Sequence, residues 1–383
     1  MDATFVPARC LRNWVGQVPT PFYIYSERGL REQAERLFSA FSQFPGFSVR
    51  FPVRMNPNPA VLSVLKKAGC GVECGSTAEL LLAKSCGFSG QSVLYAPIIP
   101  DEEGQALAAE LDAAWLLHGV QLLPPVPPKK LYLCCNPGGF LRVSGKRVLN
   151  FDRCKFGMSE EELGEVAARF RHYGQTELGL AFRGGDNEPE ADYAPAALRL
   201  LLETAEAISE KAGVVIRAFD LSGSPVPDGS DAQTLAEQLL PLLPSDGSHQ
   251  LSLVPGRFLA AQAGILLTRV CAVAPRKRTA IYADCSFSQF PRPLFFASHP
   301  VSVLGKRAEH GRVIADVFGC LPDLRDRLAE RLLLPPVKPG DCLIFHDTGA
   351  DGCAMSSRYG GMEPCAEYLF CEDGSFRCIS EEK

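Results

Sequence analysis

The sequence predicts an α/β fold, a (β/α)8 barrel joined to an antiparallel β-domain. Three observations predict it. Short apolar runs rich in Val, Leu and Ile alternate with helix-period segments from about residue 48 to 256, the rhythm of a parallel sheet. Eight such runs follow one another, which is a barrel's number. After Val254 the texture changes to short alternating strands without intervening helices.

The barrel strands are placed at Ser48–Val53, Gly71–Cys74, Ser92–Ala96, Ala113–His118, Leu131–Asn136, Leu178–Arg183, Ala218–Ser222 and Gln250–Val254. Arg28–Phe41 reads as a helix because Leu30, Ala34, Leu37 and Phe41 share a face behind Ser26, an N-cap type. Glu160–His172 and Ala196–Ala212 read the same way. The link Gly119–Lys130 carries four prolines, so one barrel helix is expected to be stunted there. The β-domain strands fall at Ile265–Val273, Thr279–Asp284, Val301–Leu304, Arg312–Val317, Asp341–His346, Ala366–Phe370 and Phe376–Ile379, interrupted by the Pro-rich Leu333–Pro339 and the loop Gly349–Gly361.

Composition narrows the function. The 383 residues suit two domains of roughly 150 residues or one large one. With 46% hydrophobic and 22% charged residues the chain is globular. A net charge of −5 and a longest basic cluster of only Arg276–Arg278 leave no footprint for nucleic acid. The fifteen cysteines form no C-x-x-C and only six histidines accompany them, which argues against structural zinc. Their odd number, the absence of an N-x-S/T sequon and of an apolar signal core in Met1–Val15 point to a reducing cytoplasm. No apolar run approaches the ~18 residues of a membrane span.

Phosphate-loop, nucleophile-elbow, zincin and dinucleotide signatures are absent. What remains is a set of loops at the C-terminal ends of strands, where a barrel keeps its active site: Arg54–Asn56, Cys74–Glu79, Arg183–Asn187, Leu221–Pro225 and Val254–Arg257.

These loops carry a resemblance. Thr20–Tyr25 is similar to T-P-x-Y-x-Y, Phe51–Pro59 to Y-A-V-K-A-N-P-N-P, Asp220–Ser224 to D-L-G-G-G and Val254–Arg257 to E-P-G-R. Together they identify the chain as resembling the fold-type III pyridoxal-phosphate decarboxylases, the diaminopimelate and ornithine decarboxylase family. Gln289–Leu294, Gly349–Gly352 and Met355–Tyr359 resemble the diaminopimelate branch in particular. The resemblance implies an alanine-racemase-like (TIM) barrel over residues 21–257, a β-domain built from 1–20 with 258–383, and a homodimer.

The departures fall on the cofactor. The family's Schiff-base lysine aligns with Arg54, whose guanidinium stays protonated and cannot condense with an aldehyde. Lys66 and Lys67 are close in sequence but read as the solvated face of the next helix. The glutamate that pairs with the pyridinium nitrogen aligns with Val254, and the ring-stacking histidine with Arg183. Around the phosphate the resemblance sets Asp186 in place of a serine and Asp351 in place of a tyrosine, two carboxylates where a dianion would lie. Ser222 and Ser224 replace two of three glycines that let backbone amides approach. The catalytic cysteine aligns with Pro322, with Cys320 two positions earlier.

No residue is therefore assigned as catalytic. Arg257 and Arg292 align with arginines that hold substrate carboxylates; they either keep that task or pair structurally with Asp284, Asp323 or Asp351. With Gly256, Glu79 and Asp186 they are the expected ligand-binding positions, and Glu79 with Ser76 is expected to hydrogen-bond inside the barrel mouth. Arg54, Arg183, Asp186 and Asp351 form either a compensated charge cluster filling the old cofactor volume or a new site. His118 reads as a base or a rim histidine, His346–Asp347 as neighbours pointing to opposite strand faces, and Cys134–Cys135 as strand packing.

The expectation is a diaminopimelate-decarboxylase-like pseudoenzyme without a cofactor, keeping a pocket for an anion or amino acid. A divergent decarboxylase or racemase holding pyridoxal phosphate non-covalently is the alternative, and would gain activity on Arg54→Lys. A third reading is a regulatory partner, which would form a heterodimer with an active homologue.

Overall fold

A computed structural model describes residues 5–120, 127–143, 146–172, 177–184, 193–223, 226, 231–244, 246–296, 298–306 and 311–380. Two compact units divide it: residues 33–258, and residues 1–32 with 259–383.

The strands in chain order begin with β1 (Phe22–Ser26), followed by β2 (Phe47–Pro52), β3 (Gly71–Cys74), β4 (Val93–Tyr95), β5 (Ala114–Leu117) and β6 (Lys130–Cys135). A hairpin, β7 (Phe140–Val143) with β8 (Lys146–Asn150), precedes β9 (Glu177–Arg183), β10 (Ile216–Ser222) and β11 (Gln250–Leu253). In the unit 33–258, β2-β3-β4-β5-β6-β9-β10-β11 close into a parallel barrel. All eight predicted barrel strands are present; the hairpin is an addition that the sequence pattern did not reveal.

Side chains alternate in and out along each strand. Leu94, Ala114, Leu116, Tyr132, Cys134, Ala181 and Ala218 form one interior cluster, so Cys134 is packing, as expected. Below the mouth lies a polar pair, Arg50 of β2 with its Nη1 3.0 Å from Asp220 Oδ2 of β10, both buried. Helices wrap the outside. Glu160–Arg171 starts at a capping box formed by Ser159 and Glu162 and buries Leu163, Val166, Ala167 and Phe170, a 3.6-residue stripe. Asn58 caps the helix Pro59–Lys67, where proline at the first position has no amide to lose. Between β5 and β6 the described residues hold no α-helix; residues 121–126 of the predicted stunted segment lie outside the described residues.

In the other unit, β12 (Gly264–Ala274), β13 (Thr279–Ala283), β14 (Val301–Val303), β15 (Val313–Phe318), β16 (Arg327–Leu334), β17 (Cys342–Phe345), β18 (Ala366–Phe370) and β19 (Phe376–Cys378) form one sheet together with β1. Val6, Leu11, Phe22, Ile24, Ile265, Leu267 and Ile344 make a core on which Trp14 stacks against Phe376 at 4.6 Å.

Three expectations change here. β1 belongs to this sheet, paired with β12 and β18, so the first boundary falls at Glu32 and not at residue 20. Its five buried residues need partners on both edges and both faces, which a strand starting a barrel would also need, so the pattern alone could not choose. The sheet is not wholly antiparallel, since β1 pairs β18 and β13 pairs β15 in parallel. β16 was missed because its charged Glu330 and Arg331 and its place before a proline-rich stretch hid the alternation.

Candidate ligand site at the barrel mouth

The site grows from three strand ends. β2 ends at Pro52, and the 3₁₀ turn Val53–Met55 that follows carries Arg54 out to the rim, with its side chain 45% exposed. In the adjacent strand Glu73 stands opposite Pro52 in register and is wholly buried. β9 ends at Arg183, only 9% exposed. Arg54 Nη1 donates to Glu73 Oε1 at 2.8 Å, and Arg183 Nη2 lies 2.7 Å from Glu73 Oε2. The second contact is Coulombic, since neither Arg183 Nη2 nor Glu73 Oε2 has an aligned hydrogen bond among the described residues.

Electrostatics follow from that geometry. Burial alone would raise the Glu73 carboxyl; the guanidiniums of Arg183 and Arg54 outweigh it and bring its pKa down to about 2. Glu79, on the helix Thr77–Ser85, goes the other way because its burial exceeds the help from the Gly75 amide, which donates to it at 2.8 Å. Ser76 caps that helix, accepting from the Glu79 amide at 3.2 Å, so both residues hydrogen-bond at the mouth as expected. His118 follows β5 and packs 5.3 Å from the Phe156 ring. Both its ring nitrogens are buried without a hydrogen-bond partner among the described residues, and burial pushes its pKa down to about 3, too weak for a base at neutral pH.

A cavity of about 270 Å³ opens between these ends, lined by the cations Arg54, Arg183 and Lys155 and by the apolar Ala96, Ile98 and Phe156, whose ring lies beside Arg183 and Lys155. Gly223, with φ +78°, forms part of its floor; a Cβ there would stand 2.4 Å from the Gly184 carbonyl oxygen, so this one glycine of the loop is required. Ser222 donates to the Phe182 carbonyl at 3.3 Å. Ser224 and Asp186 lie outside the described residues.

The predicted positions separate into three groups. Arg54 and Arg183 come together through Glu73, which the sequence reading did not name; Asp186 lies outside the described residues, and Asp351 pairs with Arg292 in the other unit. Arg292, buried at the start of the turn Arg292–Phe295, pairs with Asp351 at 3.2 Å and sits 4.6 Å from the Phe296 ring. Of its three suggested acidic partners it takes Asp351, because Asp284 accepts from Thr20, Thr268 and the Arg269 amide and Asp323 is held by Arg325. Arg257 is half-buried on the helix Gly256–Ala260, and Gly256 is a spacing residue whose Cβ would meet Met55 Sδ at 2.1 Å.

Val254, which the resemblance aligns with a carboxylate, is buried. Pro322 offers no thiol, and the exposed Cys320 has its thiol pushed up, burial first, so it is not an activated nucleophile. His346 Nε2 is 2.7 Å from Ser302 Oγ. Sequence reasoning missed Glu73, and Lys155 with Phe156; the signal for the first was a lone acid inside the apolar run Gly71–Cys74.

A family model described as pyridoxal-dependent decarboxylase, C-terminal sheet domain, matches residues 22–349. The chain belongs to that family. It is 29% identical to Protein TabA of Pseudomonas amygdali pv. tabaci, over 93% of this chain and 87% of the other. It is 26% identical to a diaminopimelate decarboxylase of Methanothermobacter thermautotrophicus, over 92% and 87%. In fold it resembles the diaminopimelate decarboxylase of Helicobacter pylori complexed with L-lysine, with a TM-score of 0.84 over 96% and 95% at 20% identity. The lysine/ornithine decarboxylase of Vibrio vulnificus complexed with putrescine gives 0.79 over 96% and 98% at 18%. Within the family the chain stands near the diaminopimelate decarboxylases, with a barrel and a mostly antiparallel β-domain.

Proposed function

We propose that this chain is a diaminopimelate-decarboxylase-like pseudoenzyme that binds a small ligand and no longer performs Schiff-base chemistry. One observation carries the reading: the residue in the lysine position, Arg54, is a guanidinium bonded to the buried carboxylate of Glu73 at 2.8 Å. An amine must be neutral to attack an aldehyde, and a guanidinium beside an anion stays charged. Pyridoxal phosphate does not fit these residues. Nothing at Val254 can pair with a ring nitrogen, and Glu73 already bridges two cations at the mouth.

The family likeness, with a structural neighbour complexed with L-lysine, supports an amino acid or small carboxylate as the ligand class. The reading carries with it a homodimer in the cytoplasm, checked by sedimentation and by fractionation. Incubation with excess pyridoxal phosphate, borohydride reduction and peptide mass spectrometry tests the central claim. We expect no lysine adduct and no carbon dioxide from diaminopimelate, lysine or ornithine. A stoichiometric adduct, or turnover, would overturn it.

A further inference from the structure

We infer that the cavity at the barrel mouth binds a small monocarboxylate with a short aliphatic tail, its carboxylate held by Arg183 and Lys155. The inference rests on the reading above, because it gives that vacated site its ligand.

Arg183 is the anchor. It is nine-tenths buried and lines the cavity, yet its Nε has no hydrogen-bond partner among the described residues and its Nη2 meets Glu73 without hydrogen-bond alignment. Those two nitrogens are closed off from solvent and Nη2 lies against Glu73, so the edge left for a ligand is Nη1, where an arriving carboxylate oxygen can accept a charge-assisted hydrogen bond. Lys155 is a further cation of the lining, and the Phe156 ring lies 5.3 Å from its ammonium and 5.7 Å from the Arg183 guanidinium.

Charge selects the ligand's valence. Arg54, Arg183 and Lys155 face Glu73 and Glu79, and Glu79 is displaced towards its neutral form by burial. The surplus is therefore between one and two positive charges. Glu73 is a fixed anion within the cluster, so a second negative charge on the ligand meets repulsion as well as attraction, which favours a monoanion over a dianion such as phosphate. Size and polarity select the rest. Ala96, Ile98 and Phe156 give the lining its apolar part, and about 270 Å³ is at the small end of ligand pockets.

Isothermal titration of the full chain with butyrate at low ionic strength tests this, with inorganic phosphate and putrescine as parallel titrants. We expect saturable one-site binding of butyrate, at least tenfold weaker binding of phosphate and none of putrescine. Arg183→Met and Lys155→Met should each weaken butyrate at least tenfold, and Lys66→Met on an outer helix should not change it. Lys155 is exposed, so its variant keeps the test valid even where Arg183→Met disturbs folding. Absence of butyrate binding, phosphate binding the tighter, or butyrate affinity unchanged in Lys155→Met would each overturn the inference. A lysine adduct with pyridoxal phosphate would instead overturn the reading beneath it, so the two failures are distinguishable.

Discussion

Arg54 and Arg183 approach the two oxygens of one carboxylate, Glu73, at 2.8 and 2.7 Å. Three strand ends are thereby tied together at the rim, and the tie is a buried anion between a half-exposed and a buried cation. Removing the anion leaves Arg183 charged, buried and without its counter-ion. Glu73→Gln is expected to lower unfolding free energy by about 3 kcal/mol, the low end for breaking a buried pair because Arg54 is solvated. Urea denaturation at pH 7 measures it; a loss below about 1 kcal/mol would mean that the bridge adds nothing to the fold.

Arg54→Lys restores the residue type that the family resemblance assigns to this position, yet it is expected to restore no activity. An ammonium beside Glu73 is stabilised in its charged form, which withholds the lone pair. Val254 still provides no partner for a ring nitrogen. Carbon dioxide release from diaminopimelate should stay at background in this variant, and activity above the parent's would favour the non-covalent cofactor reading.

The fold was legible because barrel strands are buried on both faces and read as apolar runs, while the helices between them show a 3.6-residue stripe. Arg54 was legible for another reason: Val53 before it and Asn56–Pro59 after it keep the motif's residues, which fixes the register and sets Arg54 on the lysine position. Glu73 was not. A single acid in a four-residue strand gives no periodic signal, and its partners lie on other strands whose rotamers only the closed barrel defines. Arg292 shows the same limit, for three aspartates were plausible partners until Thr20 and Thr268 proved to occupy Asp284.

Deeper in the barrel, Arg50 and Asp220 form a second buried pair at 3.0 Å, with Arg50 also donating to Ser252 Oγ. Burial outweighs the guanidinium and pushes the Asp220 carboxyl up, so this pair is strained by desolvation in a way that Glu73 is not. Asp220→Ala is expected to cost about 3–5 kcal/mol, whereas Arg50→Met with Asp220→Leu should cost far less, because it removes both charges and keeps the volume. Chemical denaturation of the three variants decides it; a double variant no better than Asp220→Ala would show that the pair is required for packing.

His118 and Glu73 set separate pH windows for stability. The His118 pKa is depressed from 6.5 to about 3, so its contribution is present above pH 6.5 and is lost as pH falls towards 3. Glu73 is depressed from 4.5 to about 2, so its contribution fades only below pH 4.5. Between pH 6.5 and 4.5 the imidazole acts alone of these two, and a full shift of that size corresponds to about 2 to 3 kcal/mol across the interval. His118→Phe removes the titrating group and keeps a ring against Phe156. Its stability should therefore fall less than the parent's between pH 6.5 and 4.5, by urea denaturation at each pH. Parallel curves for the two proteins would mean that the imidazole reaches solvent when protonated.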